Sequence, residues 1–187
     1  MLSTSHTLLQ RLRRLEPTAW ERLCLLYGPI IYGWFRRGGM QDADASDAAQ
    51  EVFRSVYSRI GQFQQGKTGG SFRGWLRAIV LNQARLHYRQ SAKRAPTAGS
   101  AVDDWTEEES SGDETEGVIV RQGLVRRALE LIQADFTDQT WRIFVRIALQ
   151  NHDIAEVAAE LRLTPNAIRQ AKFRVIKRLR QELDGLL

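Results

Sequence analysis

One cysteine, three histidines and four prolines are spread over 187 residues, and each scarcity closes off a class of protein. A single thiol, Cys24, excludes an internal disulfide and a cysteine-rich zinc site. It lies in the apolar run Leu23-Cys24-Leu25-Leu26 and is expected to be a small buried hydrophobe. His6, His87 and His152 have neither ligand nor catalytic spacing. No metal, no cofactor and no enzymatic activity is therefore expected. No apolar run approaches the roughly 20 residues of a membrane helix, and Met1 to Gln10 is polar, unlike a signal peptide. A cytoplasmic protein is the expectation.

Basic residues are missing from one long window. Between Thr97 and Val120 there are eight acids (Asp103, Asp104, Glu107, Glu108, Glu109, Asp113, Glu114, Glu116) and no Lys or Arg. Outside it stand 27 basic against 14 acidic residues, so the overall +5 conceals flanks carrying +13. Such flanks point to a polyanion as partner. The window also holds several Gly and Ser and little apolar periodicity, the composition of a segment that cannot bury enough surface to order itself.

What is present is helical pattern. The apolar residues recur at spacings of three and four, so the expected fold is all-α. It divides into two small helical domains, 1–95 and 118–187, joined by a flexible acidic linker over 96–117. In the first, Thr18 to Phe35 is expected as two helices bent or broken near Gly28-Pro29. Asp44 to Ile60 follows, with a stripe of Val52, Phe53, Val56, Tyr57 and Ile60. After a loop from Gly61 to Gly70, a helix resumes over Phe72 to Arg89, with Trp75 a core aromatic. In the second, Thr137, Asp153 and Thr164 are expected to cap three successive helices.

The last two helices, joined by Arg162-Leu163-Thr164, have the spacing of a helix-turn-helix. Pro165 suits a first helical position, where its missing N–H costs nothing. At about 100° per residue, Asn166, Gln170, Phe173, Arg174 and Lys177 share an arc of about 140° with Arg169. Ile168, Val175, Leu179 and Leu183 fall opposite. From Arg162 to Arg180 there are seven basic residues and no acid. Arg and Gln on that arc suit base edges, and Lys suits phosphates.

Two further stretches carry chemistry. Asp44, Asp47, Gln50 and Glu51 place acceptors on adjacent turns beside Val52 and Phe53, a mixed surface fitted to a basic partner helix. From Ser71 to Val102 there are six basic residues and no acid, interleaved with Phe72, Trp75, His87 and Tyr88. Cationic grooves with aromatic platforms hold single strands by stacking.

Asp44 to Phe53, Ser71 to Asn82 and Ile154 to Arg180 together resemble, in order, the bacterial RNA polymerase sigma factors of the sigma-70 family, extracytoplasmic-function group. The resemblance implies a factor that binds core polymerase, recognises −35 and −10 elements and helps to melt the promoter. It implies that Asp44, Asp47, Gln50, Glu51 and Phe53 meet the clamp of the largest subunit, with a second contact to the flap region. It implies −10 contacts by Gln62, Phe63, Lys67, Arg73, Arg77, Asn82, Arg85 and Arg89, the loop receiving an unstacked base. It implies −35 contacts by Thr164, Asn166, Arg169, Gln170, Phe173, Arg174 and Lys177. Cytoplasmic protein would then join the nucleoid when polymerase-bound, and an anti-sigma protein enters the set of partners to test.

A plain helix-turn-helix regulator leaves the Asp44 to Phe53 and Ser71 to Arg94 stretches without a role. A nucleic-acid-processing enzyme needs clustered carboxylates, and the densest ones lie in the irregular linker. That linker is read as a solvated spacer, not as a strap over the basic faces. Replacing its eight acids by Ser or Asn is expected to leave the free protein's DNA affinity unchanged at low salt, measured by fluorescence anisotropy.

Overall fold

The computed structural model describes residues 7–64, 70–94 and 114–186, and every regular element among them is helical. The chain opens with a short helix α1 (Leu8–Arg13), started by a capping box in which Thr7 and Gln10 exchange hydrogen bonds. Helix α2 (Pro17–Arg37) runs unbroken through Pro29, contrary to the break expected there. The reason lies in its orientation. Pro29 is exposed, and so is Leu25, whose carbonyl has lost its helical donor and faces the solvent side. The opposite face buries Ala19, Leu23, Leu26, Tyr27, Ile30, Ile31, Trp34 and Phe35, which holds the helix straight.

The same geometry corrects the expectation for Cys24. At 100° per residue, only Leu23 and Leu26 of the apolar run can reach the core; Cys24 and Leu25 turn outward and are exposed.

Gly39, at φ +85, makes the turn into α3 (Asp42–Arg59). Val52, Val56 and Ile60 of the expected stripe are buried, whereas Tyr57 stays at the surface against the Trp20 ring, centroids 5.0 Å apart. A 3₁₀ turn over Ile60–Gln62 ends this segment. Helix α4 (Phe72–Arg94) is one turn longer than expected. Phe63, Phe72 and Trp75 form an aromatic cluster with centroids 5.1–5.7 Å apart, so Trp75 packs against the core as anticipated.

Helix α5 (Glu114–Ile132) begins inside the window read as linker, taking in Glu114, Glu116 and Gly117. Acids suit the positive end of a helix dipole, which offsets their poor apolar content. The acids from Asp103 to Asp113 lie outside the described residues. Helix α6 (Asp138–Phe144), capped by Thr137, runs into a π-helical turn over Val145–Leu149. Helices α7 (Ile154–Glu160) and α8 (Pro165–Leu183) complete the chain, capped by Asp153 and Thr164 as the sequence indicates.

The largest core does not stop at the linker. Val120, Leu124 and Ala128 of α5, with Leu183 and Leu186, join the residues of α1 to α4 in one buried cluster. A stripe on α5 needs an apolar partner, and the broad buried face of α2 supplies it. Smaller clusters behind α6, α7 and α8 hold the helix-turn-helix together.

An exposed proline inside a straight helix costs up to about 3 kcal/mol relative to alanine. A β-carbon added at Gly28 meets nothing within 4 Å. Pro29→Ala is expected to raise stability by about 1–3 kcal/mol, and Gly28→Ala by about 0.5–1 kcal/mol. Denaturant unfolding followed by circular dichroism measures both, and a lowered midpoint for Pro29→Ala would show that the ring makes contacts worth more than the missing hydrogen bond.

Candidate nucleic-acid and partner interfaces

The recognition surface is built from the turn outward. Arg162 adopts φ +52, a left-handed conformation that a non-glycine residue reaches at a cost of about 1–2 kcal/mol. Two backbone hydrogen bonds hold it there, Arg162 N–H to Ala159 and Leu163 N–H to Ala158, at 3.2 and 2.8 Å. Thr164 Oγ1 then accepts from the Ala167 N–H at 3.2 Å, and α8 departs from that cap. Ile168, Ala171 and Val175 are buried beneath it. Arg146, on the π-helical turn, reaches across to Glu160 at the end of α7 at 2.6 Å and braces the pair. That hydrogen bond holds the Glu160 carboxyl below its ordinary range.

With the buried side fixed, the other side is free. Thr164, Asn166, Arg169, Gln170, Phe173, Arg174 and Lys177 are all exposed. Phe173 stands out at 57% exposure, an apolar ring among donors that has no partner in the core. Seven residues predicted from periodicity thus form one continuous surface. Apolar contact with a thymine methyl is the chemistry such a ring offers there.

Helix α3 presents a second surface. Asp47, Gln50 and Glu51 are exposed, and Asp44 is half-buried with its carboxylate 3.7 Å from the His87 ring. Glu51 is paired with Arg54 one turn on. Phe53, expected at this surface, is half-buried and packs against the core, because its position points toward α2. Asp44, Asp47, Ala48 and Glu51 form one wall of a groove whose other wall is Gln83, Leu86, His87 and Gln90 of α4. This second wall went unassigned in the sequence. Its signal was there, since residues 83, 86, 87 and 90 repeat at three and four.

The predicted −10 residues do not share one surface. Asn82, Arg85 and Arg89 come together in a neighbouring groove with Ser55 and Arg59, so Arg59 is a cation the sequence reading missed. Arg73 lies instead beside Tyr27 and Gly117, away from that groove. Arg77 sits over the Trp34 ring at 6.0 Å, a cation–π arrangement. Gln62 is exposed, Phe63 is 4% exposed, and Lys67 lies outside the described residues. Phe63 is corrected from a strand-facing ring to a core one.

Among the described residues, no group of His, Cys, Asp and Glu is placed to hold a metal ion. No described helix is long and apolar enough to cross a membrane.

Residues 23–94, from α2 to the end of α4, match the family model Sigma-70 region 2. The RNA polymerase sigma-H factor of Pseudomonas aeruginosa is 30% identical over 97 residues, covering 52% of this chain and 49% of that protein. The ECF RNA polymerase sigma factor BldN of Streptomyces coelicolor is 27% identical over 174 residues, 92% of this chain and 63% of that one. The chain thus spans about half of one curated relative and under two thirds of the other. A solved structure of CnrH in complex with the cytosolic domain of CnrY aligns over 92% of both chains, at 19% identity and a TM-score of 0.39.

The position of Phe63 generates a test. Phe63→Ala is expected to cost about 3–5 kcal/mol of stability, read by denaturant unfolding. A variant of unchanged stability with a selective loss of DNA binding would return the ring to the surface.

Proposed function

As a member of the sigma-70 family, carrying its region 2 over residues 23–94, this chain is one that we propose works as a transcription initiation factor. It binds core RNA polymerase, brings it to a two-part promoter and helps to open the −10 element. One observation carries the reading: the region 2 module stands on the same chain as a capped helix-turn-helix whose seven candidate −35 residues are all exposed.

Each surface has a task in this reading. The acidic wall of the α3–α4 groove meets a basic helix of the polymerase clamp, Asp47, Gln50 and Glu51 supplying acceptors. Asn82, Arg85 and Arg89, joined by Arg59, hold the −10 DNA through donors directed at phosphates and base edges. On α8, Arg169, Gln170, Phe173 and Arg174 read the −35 element, while Thr164, Asn166 and Lys177 fix its register. The flap region of polymerase is a second contact for the C-terminal helices, and an anti-sigma protein is a further partner class. The factor performs no covalent chemistry of its own and works in the cytoplasm, on the nucleoid when bound to polymerase. Two modest DNA contacts on one scaffold raise each other's effective concentration, so neither has to be tight alone.

A helix-turn-helix regulator without polymerase binding would not account for a region 2 module. The deciding experiment is reconstituted transcription with core polymerase on a randomised promoter library. Enrichment of two elements at fixed spacing is expected; no sigma-dependent transcript would overturn the reading. Arg174→Ala is expected to weaken promoter use by about 1–3 kcal/mol and to relax preference at one −35 position. An equal loss on random DNA would make it a phosphate contact. Glu51→Lys is expected to impair binding to core polymerase while the full chain's affinity for −35 DNA stays unchanged; loss of both would make Glu51 a folding residue.

A further inference from the structure

Glu182, near the end of α8, is the one buried charged residue among those described, at 1% exposure. Its Oε2 lies 2.9 Å from Arg22 of α2 and 2.7 Å from Arg178. Both arginines also meet Asp135, at 3.8 and 2.9 Å, on the 3₁₀ turn after α5. Two cations and two anions thus tie the N-terminal module to the C-terminal one. Around them, Arg127 Nε donates to the Leu26 carbonyl at 3.0 Å, and the buried Tyr27 hydroxyl donates to the Leu186 carbonyl. Arg73, beside Gly117, sits at the same junction.

We infer that this junction is an intramolecular latch: the α2 face around Arg22 and Tyr27 docks the chain's own C-terminal module, and the contact opens when the factor loads onto polymerase. The inference rests on the sigma-factor reading above. Dimensions are its first support. Elements nominally about 25 base pairs apart lie about 85 Å apart along the duplex at about 3.4 Å per pair. A compact chain of this length has a radius of gyration of about 16 Å, hence a breadth of about 40 Å. The docked form therefore does not reach both elements at once.

The chemistry of the junction is the second support. A buried ion pair roughly breaks even against desolvation, so it fixes geometry while adding little net stability. Glu182 Oε1 and Arg22 Nη1 have no hydrogen-bond partner, which leaves the cluster incompletely satisfied. On opening, all four charges regain water. The exposed arc of α8 is untouched by the latch, so what the docked state limits is reach.

The test uses the full chain with Cys24→Ser and dyes on Arg14→Cys and Ala159→Cys, both exposed positions in different modules. Energy transfer is expected to be high in the free chain and to fall several-fold when core polymerase is added without DNA. Glu182→Gln is expected to lower transfer in the free chain and tighten binding to core several-fold, because a larger fraction is already open. Circular dichroism establishes that the variant is folded; if it is not, Arg127→Met, which removes the bond to Leu26, takes its place. Unchanged transfer on binding core would overturn the latch and leave the initiation-factor reading intact. No binding to core would overturn that reading, and the latch would then stand or fall on the free-chain change in Glu182→Gln alone.

Discussion

The buried face of α2 is the surface on which the other helices depend. Twenty-one residues give it a length of about 30 Å, and its apolar side is broad enough to be covered from several directions. Leu8, Leu9 and Leu12 of α1 close one side, and Val52, Val56 and Phe72 of α3 and α4 another. The stripe of α5 takes what remains. A helix buried this widely tolerates a proline, since the loss of one hydrogen bond on the exposed side is small beside the area buried on the other.

That arrangement separates support from contact. On α8, Ile168, Ala171 and Val175 face inward and the donors face outward, and the same division repeats on α3 between Val52 or Val56 and Asp47 or Glu51. Charged side chains are available to partners because none of them is needed to fill the core. Glu182 and Arg22 are the exception: their charges are spent at the junction between modules, where apolar residues would have bound more permanently.

Much of this was legible in sequence because it depends on local rules. Caps at Thr137, Asp153 and Thr164 and the two faces of α8 follow from hydrogen-bond chemistry and a 100° step, and both are visible without knowledge of tertiary contacts. Failures came where the deciding partner is distant. Pro29 reads as a breaker until the α2 face opposite it is seen to be fully covered. Phe63 reads as a loop aromatic until Phe72 and Trp75 close over it. Cys24 reads as buried from its neighbours in sequence, though its angular position turns it outward. The union of both modules in one core, and the groove wall from Gln83 to Gln90, depend on pairings that no single segment encodes.

The turn at Arg162 and the cap at Thr164 fix the path of α8 through backbone hydrogen bonds and three small or branched residues beneath it. None of the outward positions from Arg169 to Lys177 contributes to that path. Such a scaffold is evolvable in a specific sense. Substitutions on the exposed arc alter which DNA is preferred without endangering the fold, so duplicated copies can diverge toward new targets one residue at a time, each intermediate still folded.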